Sequence, residues 1–268
     1  MESKQKIQDK NQKQKVENKN IFWKYVPLIF FTALIFQIGV FFFTRSQLPQ
    51  LKEVGFPLNF EQAQQFSKLM SNYVESNYYT LLFFQASNFL FLQTFCVPGT
   101  FIFNLLGGAF FGVKVGFIVC VLCNTFGAYF CFLLSKYFGK EIIETKLQKQ
   151  VAFMKKQVDE HRKELLFYML SLRVFPGSPN WLMNISFPHI NIPQSYFLIS
   201  QFFGLMPWNF ITVEAGNVIS TFKNKDEIMK PQNQLMLAGL AFLCILPGLI
   251  KSFNNYRQKK KDQKQKQN

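Results

Sequence analysis

Histidines and acidic residues are scarce in this chain: 2 His and 15 Asp plus Glu accompany 30 Lys plus Arg in 268 residues. His161 lies in a basic loop and His189 follows Pro188, and neither sits in a metal-ligand or catalytic pattern. No G-x-x-x-x-G-K-[ST] phosphate loop and no nucleophile elbow occurs, which leaves ATP-driven pumping and covalent hydrolysis without support. Cysteines number 5, and the Cys120-x-x-Cys123 pair lies in an apolar run with no second pair nearby, which argues against a metal site. No catalytic group, metal or cofactor is expected. Charge is also nearly missing from the long apolar stretches, where only Lys114 and Arg173 fall. The net charge of +15 is therefore a property of the tails and one loop, a pattern that sets membrane orientation and argues against nucleic acid as a partner.

Apolar residues make up 49% of the chain and aromatics 18%, with 35 Phe, yet mean hydropathy is only +0.06. A greasy middle between very polar ends reconciles these values. Residues 1–24 carry 7 Lys among Gln and Asn and are expected to form a disordered cytosolic tail. Residues 25–43 are long enough to cross the roughly 30 Å hydrocarbon layer as an uncleaved anchor. Residues 44–79 form an expected lumenal segment. Within it, Phe66, Leu69, Met70, Tyr73 and Val74 share one helical face, which could lie in the headgroup layer or pack within the chain. Residues 115–135, 194–213 and 234–250 are three further spans, and 251–268 is a second basic cytosolic tail.

Two other apolar stretches are interrupted. Residues 80–97 end at Pro98-Gly99-Thr100, and 101–113 are too short to cross. Residues 165–175 end at Pro176-Gly177-Ser178-Pro179, and 181–187 are again too short. Proline removes a backbone donor and glycine frees the dihedrals, so each helix should break and return as a re-entrant loop. Broken backbone at membrane depth survives only where protein or a watery cavity satisfies it. A kinked spanning helix competes with that reading for 80–113. The two breaks are 78 residues apart, and residues 116 and 194, inside or opening the next span, each lie 18 beyond their Pro. This points to an internal repeat of loop plus spanning helix.

With a cytosolic N-terminus, the cytosolic segments hold 22 basic residues and the external ones 6. That bias satisfies the positive-inside rule and makes the two repeats inverted. The expected fold is an all-α polytopic membrane protein with four spanning helices and two Pro-Gly re-entrant loops. The central residues 136–164 carry 8 basic and 5 acidic residues around a face of Ile142, Ile143, Leu147, Val151 and Met154.

The stretches FCVPGTFIFNLLGGAFFG and NTFGAYFCFLLSKYFGK, with LRVFPGSPNWLMNISFPHINIP and ISQFFGLMPWNFITVEAG, resemble the VTT domain. This is the core of the DedA superfamily, historically labelled SNARE-associated Golgi protein. The Arg173-x-x-Pro176-x-x-Pro179-Asn180-Trp181 phrase, with Asn184-Ile185 and Asn191-Ile192-Pro193, resembles the eukaryotic transmembrane protein 41 family. The resemblance covers roughly residues 80–220. It implies an endoplasmic-reticulum protein that scrambles phospholipids between leaflets, with roles in autophagosome formation and lipid mobilisation. Bacterial members usually carry an acid just after the first Pro-Gly, where this chain has Thr100, and Glu214 stands where a basic residue is expected in animal members.

A headgroup entering hydrocarbon needs polar partners. Candidate lining residues are Pro98, Gly99, Thr100 and Asn104 at the first loop, and Arg173, Pro176, Gly177, Ser178, Pro179, Asn180 and Asn184 at the second. Arg173 either holds a lipid phosphate or ties down carbonyls freed at the break. Gly108, Gly112 and Gly116 permit close helix packing, more within the chain than between chains. Membrane lipids are the expected partners, with anionic headgroups at the basic tails. The alternatives are an ion- or anion-coupled secondary transporter on the same core, and a membrane scaffold that moves nothing.

Overall fold

The computed structural model describes residues 2–47, 74, 76–175 and 178–221, whose regular elements are all helical. Helix α1 is Glu2–Gln47, α2 is Tyr78–Thr94, and α3 is Thr100–Phe138. Short helices α4 (Lys140–Thr145) and α5 (Gln148–Glu160) follow, then α6 (Leu165–Val174), α7 (Asn180–Ser186) and α8 (Gln194–Thr221). The expectation of disorder over 1–24 differs from this backbone, because α1 begins at Glu2. Lys, Gln and Glu have high helix propensity, so the polar stretch extends the helix of the apolar one. The final span, 234–250, and most of the 66–74 face lie outside the described residues.

Helix α3 is two helices in one. Gly112, at φ 69° and ψ 177°, leaves the helical region and separates residues 100–111 from 113–138. The first piece folds back on α2. The rings of Tyr78 and Phe111 meet at 5.3 Å, and the Gln85 amide donates to the Phe103 carbonyl. Tyr78 and Phe111 would lie about 50 Å apart along one continuous helix at 1.5 Å per residue. A hairpin therefore replaces the kinked helix that the sequence left open. Beyond Gly112 the chain reverses again, and Cys120 Sγ lies 3.6 Å from the same Phe103 carbonyl.

The second half repeats this path. Helix α6 ends at Val174, α7 folds back so that Phe187 faces Arg173, and α8 follows the same direction as α6. Two glycines show the correspondence. A Cβ on Gly127 would sit 2.6 Å from Gln93 Cβ and 3.3 Å from the Leu90 carbonyl oxygen. One on Gly204 would sit 2.5 Å from Arg173 Cβ and 3.4 Å from the Leu170 oxygen. In both halves the long helix docks through a glycine onto the i and i+3 residues of the first helix. The second reversal also matches: Gly112 (φ 69°) and Asn191 (φ 58°) each precede the long helix with a positive φ.

The long helices run antiparallel. Phe117 meets Phe210, Asn124 meets Gln201, and Tyr129 meets Gln194. Since each long helix parallels its own first helix, the two halves are inverted relative to one another. Helix α1 packs outside this core, antiparallel to α2, with Phe30 on Phe91 and Phe95 and the Gln37 amide donating to the Ser87 carbonyl.

Among the described residues, two helices are long and apolar enough to cross a membrane, Lys24–Gln47 and Thr100–Phe138. Helix α8 spans about 42 Å, long enough to cross. Its Ser200, Gln201 and Asn209 dilute its apolar character, and all three are buried. The outer surface is apolar, with Ile35 69% exposed and Phe31, Phe42, Phe101, Ile118 and Phe203 also open. So continuous an apolar exterior suits hydrocarbon as its surroundings. Charges collect at one end, where Lys155–Asp159 (2.7 Å) and Arg162–Asp159 (3.0 Å) form exposed ion pairs. Ile143, Val151 and Val158 from this segment pack into the core, with Leu147 and Met154 partly covered.

Candidate functional site

Helix α7 is brought back against α6 because Pro179 and the break before it stop the helix. That return places Asn180, at the start of α7, within reach of Arg173, one residue before the end of α6. Arg173 is completely buried and donates from Nη1 to Asn180 Oδ1 at 3.0 Å. Its guanidinium also lies 5.1 Å from the Phe197 ring centre and 5.8 Å from that of Phe187. Both distances fit cation–π attraction. Among the described residues, Nε and Nη2 have no hydrogen-bond partner. These two nitrogens form one edge of the planar fork, the edge that grips carboxylate or phosphate bidentately. The buried polar residues nearby and elsewhere among the described ones are Ser, Thr, Asn, Gln and this Arg, with no carboxylate among them. The sequence alternative, that Arg173 ties down carbonyls at the break, concerns in part residues 176 and 177, which lie outside the described residues.

A second polar cluster joins the two halves. Gln201 Nε2 donates to Asn124 Oδ1 at 2.6 Å, and Asn104 Nδ2 donates to Asn209 Oδ1 at 3.1 Å. Asn124 Nδ2 reaches the same Asn209 oxygen at 3.5 Å. Among the described residues, Asn104 Oδ1 and Gln201 Oε1 are buried without partners, and so are Asn184 Oδ1 and Ser186 Oγ on α7. A chain of four amides with unused acceptors in an apolar bundle is costly unless it has polar visitors or a reason to open.

The candidates named from sequence separate into three groups. Arg173, Asn184 and Asn104 are buried in the core at or near these clusters, and Asn180 is half-buried against Arg173. Pro98 and Pro179 are exposed, and Gly99, Thr100 and Ser178 are half-buried at the turns. Gly99 adopts φ 112°, a conformation that requires glycine, and starts α3. Pro176 and Gly177 lie outside the described residues. The glycines of the 108–116 pattern do not form one packing stripe. A Cβ on Gly108 would fall 1.8 Å from the Val213 carbonyl oxygen, and one on Gly116 2.4 Å from the Gly107 oxygen. Gly112 faces open space at the break between them. Sequence reasoning passed over Asn124, Gln201 and Asn209, and the available signal was an uncharged amide in the middle of an apolar run.

Away from both clusters, a cavity of about 640 Å³ opens between α1, α2 and α3, with Phe36, Phe83, Phe91, Phe130 and Leu134 in its wall. Its size falls in the range of small-ligand pockets, and its wall suits a hydrocarbon chain.

Residues 97–218, the stretch that holds both clusters, match the VTT domain family. The chain is 32% identical to transmembrane protein 41B of Gallus gallus over 81% of this chain and 83% of that one. It is 34% identical to the transmembrane protein 41 homolog of Dictyostelium discoideum over 76% of this chain and 62% of that one. The human transmembrane protein 41B is 30% identical over 83% of this chain and 78% of its own. The chain belongs to the transmembrane protein 41 family. No solved structure matches it. In this member of the family, the matched residues start at the first Pro-Gly break and end on α8, so the match leaves out α1 and both basic tails.

Proposed function

We propose that this protein is a passive phospholipid scramblase of the endoplasmic-reticulum membrane, with both termini in the cytosol. Two inverted helical hairpins act as re-entrant loops from opposite faces, beside spanning helices that include α8. The observation that carries this reading is Arg173: a fully buried cation whose free Nε–Nη2 edge has no carboxylate to hold. A lipid phosphate is an anion of matching geometry, and the bilayer supplies it in excess. The amide cluster of Asn104, Asn124, Gln201 and Asn209 offers polar groups to a headgroup on its way across, and the cavity beside α1 suits an acyl chain. Membership in the family supports a membrane role, and autophagosome formation and lipid mobilisation are the processes such an activity would serve.

Reconstitution into liposomes tests the reading. Lipids labelled in both leaflets should become fully accessible to a membrane-impermeant quencher, without ATP and at a rate unchanged by an imposed pH gradient. Half-accessible label in liposomes that contain folded protein would defeat it. A net flux that follows the gradient and vanishes in Glu214→Gln would replace the scramblase by a coupled transporter. Tags in residues 146–160 and at both termini should be reached from the cytosolic side, and a tag near Lys52 should be protected.

A further inference from the structure

The cysteine pair that stands out in the sequence, Cys120-x-x-Cys123, is not the pair that the fold brings together. Cys96 and Cys131 are 35 residues apart, and their sulfurs lie 3.3 Å from one another. Both are free thiols. Cys96 sits in the first break, immediately after α2, with φ 54° and partial exposure, while Cys131 is buried on the long part of α3.

We propose that Cys96 and Cys131 form an oxidisable dithiol, a modification site that fastens the tip of the first hairpin to the long helix. A disulfide needs the sulfurs to close by roughly 1.3 Å, which a turn at the end of a helix can supply. The oxidant class is a hydroperoxide, and in hydrocarbon that means a peroxidised acyl chain. Cys96 is the more exposed thiol and reacts first: its sulfur takes the terminal peroxide oxygen, the O–O bond breaks, and the sulfenic acid and an alcohol result. The Cys131 sulfur then attacks the Cys96 sulfur, the S–O bond breaks, and the hydroxyl leaves as water with the Cys131 proton. Overall, two thiols and one hydroperoxide give one disulfide, one alcohol and one water. The chemistry does not depend on whether the protein moves lipids.

The test uses the purified full chain in lipid nanodiscs with hydrogen peroxide as the probe, followed by N-ethylmaleimide and trypsin. Cleavage after Lys68, Lys114 and Lys136 leaves Cys96 on residues 69–114 and Cys131 on 115–136. The expected product is the two peptides joined, two hydrogens lighter than their sum and separated again by a reductant. In Cys131→Ser the joined product should vanish, and dimedone should label Cys96 as the trapped sulfenic acid. Wild-type peptides that stay separate, with maleimide on both Cys96 and Cys131 after peroxide, would overturn the proposal. So would a joined product that persists in Cys131→Ser, because Cys120 or Cys123 would then be the partner.

Discussion

Gln201 donates its amide to Asn124 at 2.6 Å, and these residues are structural counterparts of one another. They are 77 residues apart, the same interval that separates Gly127 from Gly204, the docking glycines of the two long helices. A bond between counterparts has to lie near the pseudo-twofold axis that relates the halves. The polar contact at the centre of the molecule is thus a consequence of the inversion: each half brings one amide to the axis. An amide is suited to meeting its counterpart because it carries both donor and acceptor.

That bond should be measurable as a coupling. Asn124→Ala, Gln201→Ala and the double variant, compared by reversible unfolding in bicelles, are expected to give an interaction energy of about 0.5–2 kcal/mol. Strict additivity would mean that the two side chains do not support one another.

The two reversals make a sharper prediction from glycine chemistry. Gly112, at φ 69° and ψ 177°, occupies a region essentially reserved for glycine but has open space, whereas Gly216 has ordinary helical backbone with the Leu105 oxygen 1.9 Å from where a Cβ would lie. Gly112→Ala should therefore cost roughly 1–3 kcal/mol through backbone strain alone, and Gly112→Asn should not escape it, because asparagine tolerates the left-handed helical region and not this one. Gly216→Ala should cost roughly 1–3 kcal/mol for a different reason, because α8 must move away from residues 100–111. Thermal stability in detergent measures the three, and a Gly112→Ala or Gly112→Asn variant as stable as the wild type would refute the assignment of roles.

The Pro-Gly breaks, the repeat and its inversion were legible in the sequence because proline, glycine and the distribution of Lys and Arg act locally. Arg173 and Asn104 were legible as polar groups in apolar runs. The second reversal of each half was not. Gly112 was read as one member of a packing stripe, and a glycine in a helix-like pattern carries no mark that distinguishes a break from a close approach. Asn124, Gln201 and Asn209 were passed over because they sit in runs that read as ordinary spans. Their role comes from the opposite half, at sequence separations of 77 to 105 residues. The Cys96–Cys131 approach was equally hidden, since it depends on how the hairpin tip meets the long helix.

His189 ties the second half to the first, near the charged end of the bundle. Its Nε2 lies 3.0 Å from the Ser135 carbonyl oxygen and 3.1 Å from Ser135 Oγ, which in turn donates to the Ile185 carbonyl at 2.6 Å. Burial holds the imidazole pKa below its ordinary 6.5, against the Ser135 contact and Glu144, which favour the cation. The unfolded chain therefore binds the proton first as pH falls. The stability that neutral His189 contributes is complete above about pH 6.5 and is lost progressively below it. Melting temperature should decline with acidification from that point, and His189→Gln should remove part of the slope. A slope unchanged by the substitution would place the sensitivity elsewhere.

Arg173 gives the last and most consequential prediction. Its alkyl stem packs on Gly204, its Nη1 holds Asn180, and its Nε–Nη2 edge is free. The first two contacts are structural, and the third is the one assigned to lipid phosphate. Substitution separates them. Lysine retains the stem and the charge but replaces the fork by a point charge, so it preserves packing while losing bidentate grip. Arg173→Lys should fold to near wild-type levels and scramble roughly tenfold more slowly, equivalent to about 1.4 kcal/mol in the barrier. Arg173→Gln retains a hydrogen bond toward Asn180 without the charge and should fall below the lysine variant in rate. Asn180→Ala leaves the free edge intact and should affect protein stability more than lipid movement. Folded yield by size-exclusion chromatography and lipid exchange in liposomes read the two effects separately. If the lysine and glutamine variants lose rate only in proportion to folded protein, Arg173 is a packing residue and the phosphate assignment fails.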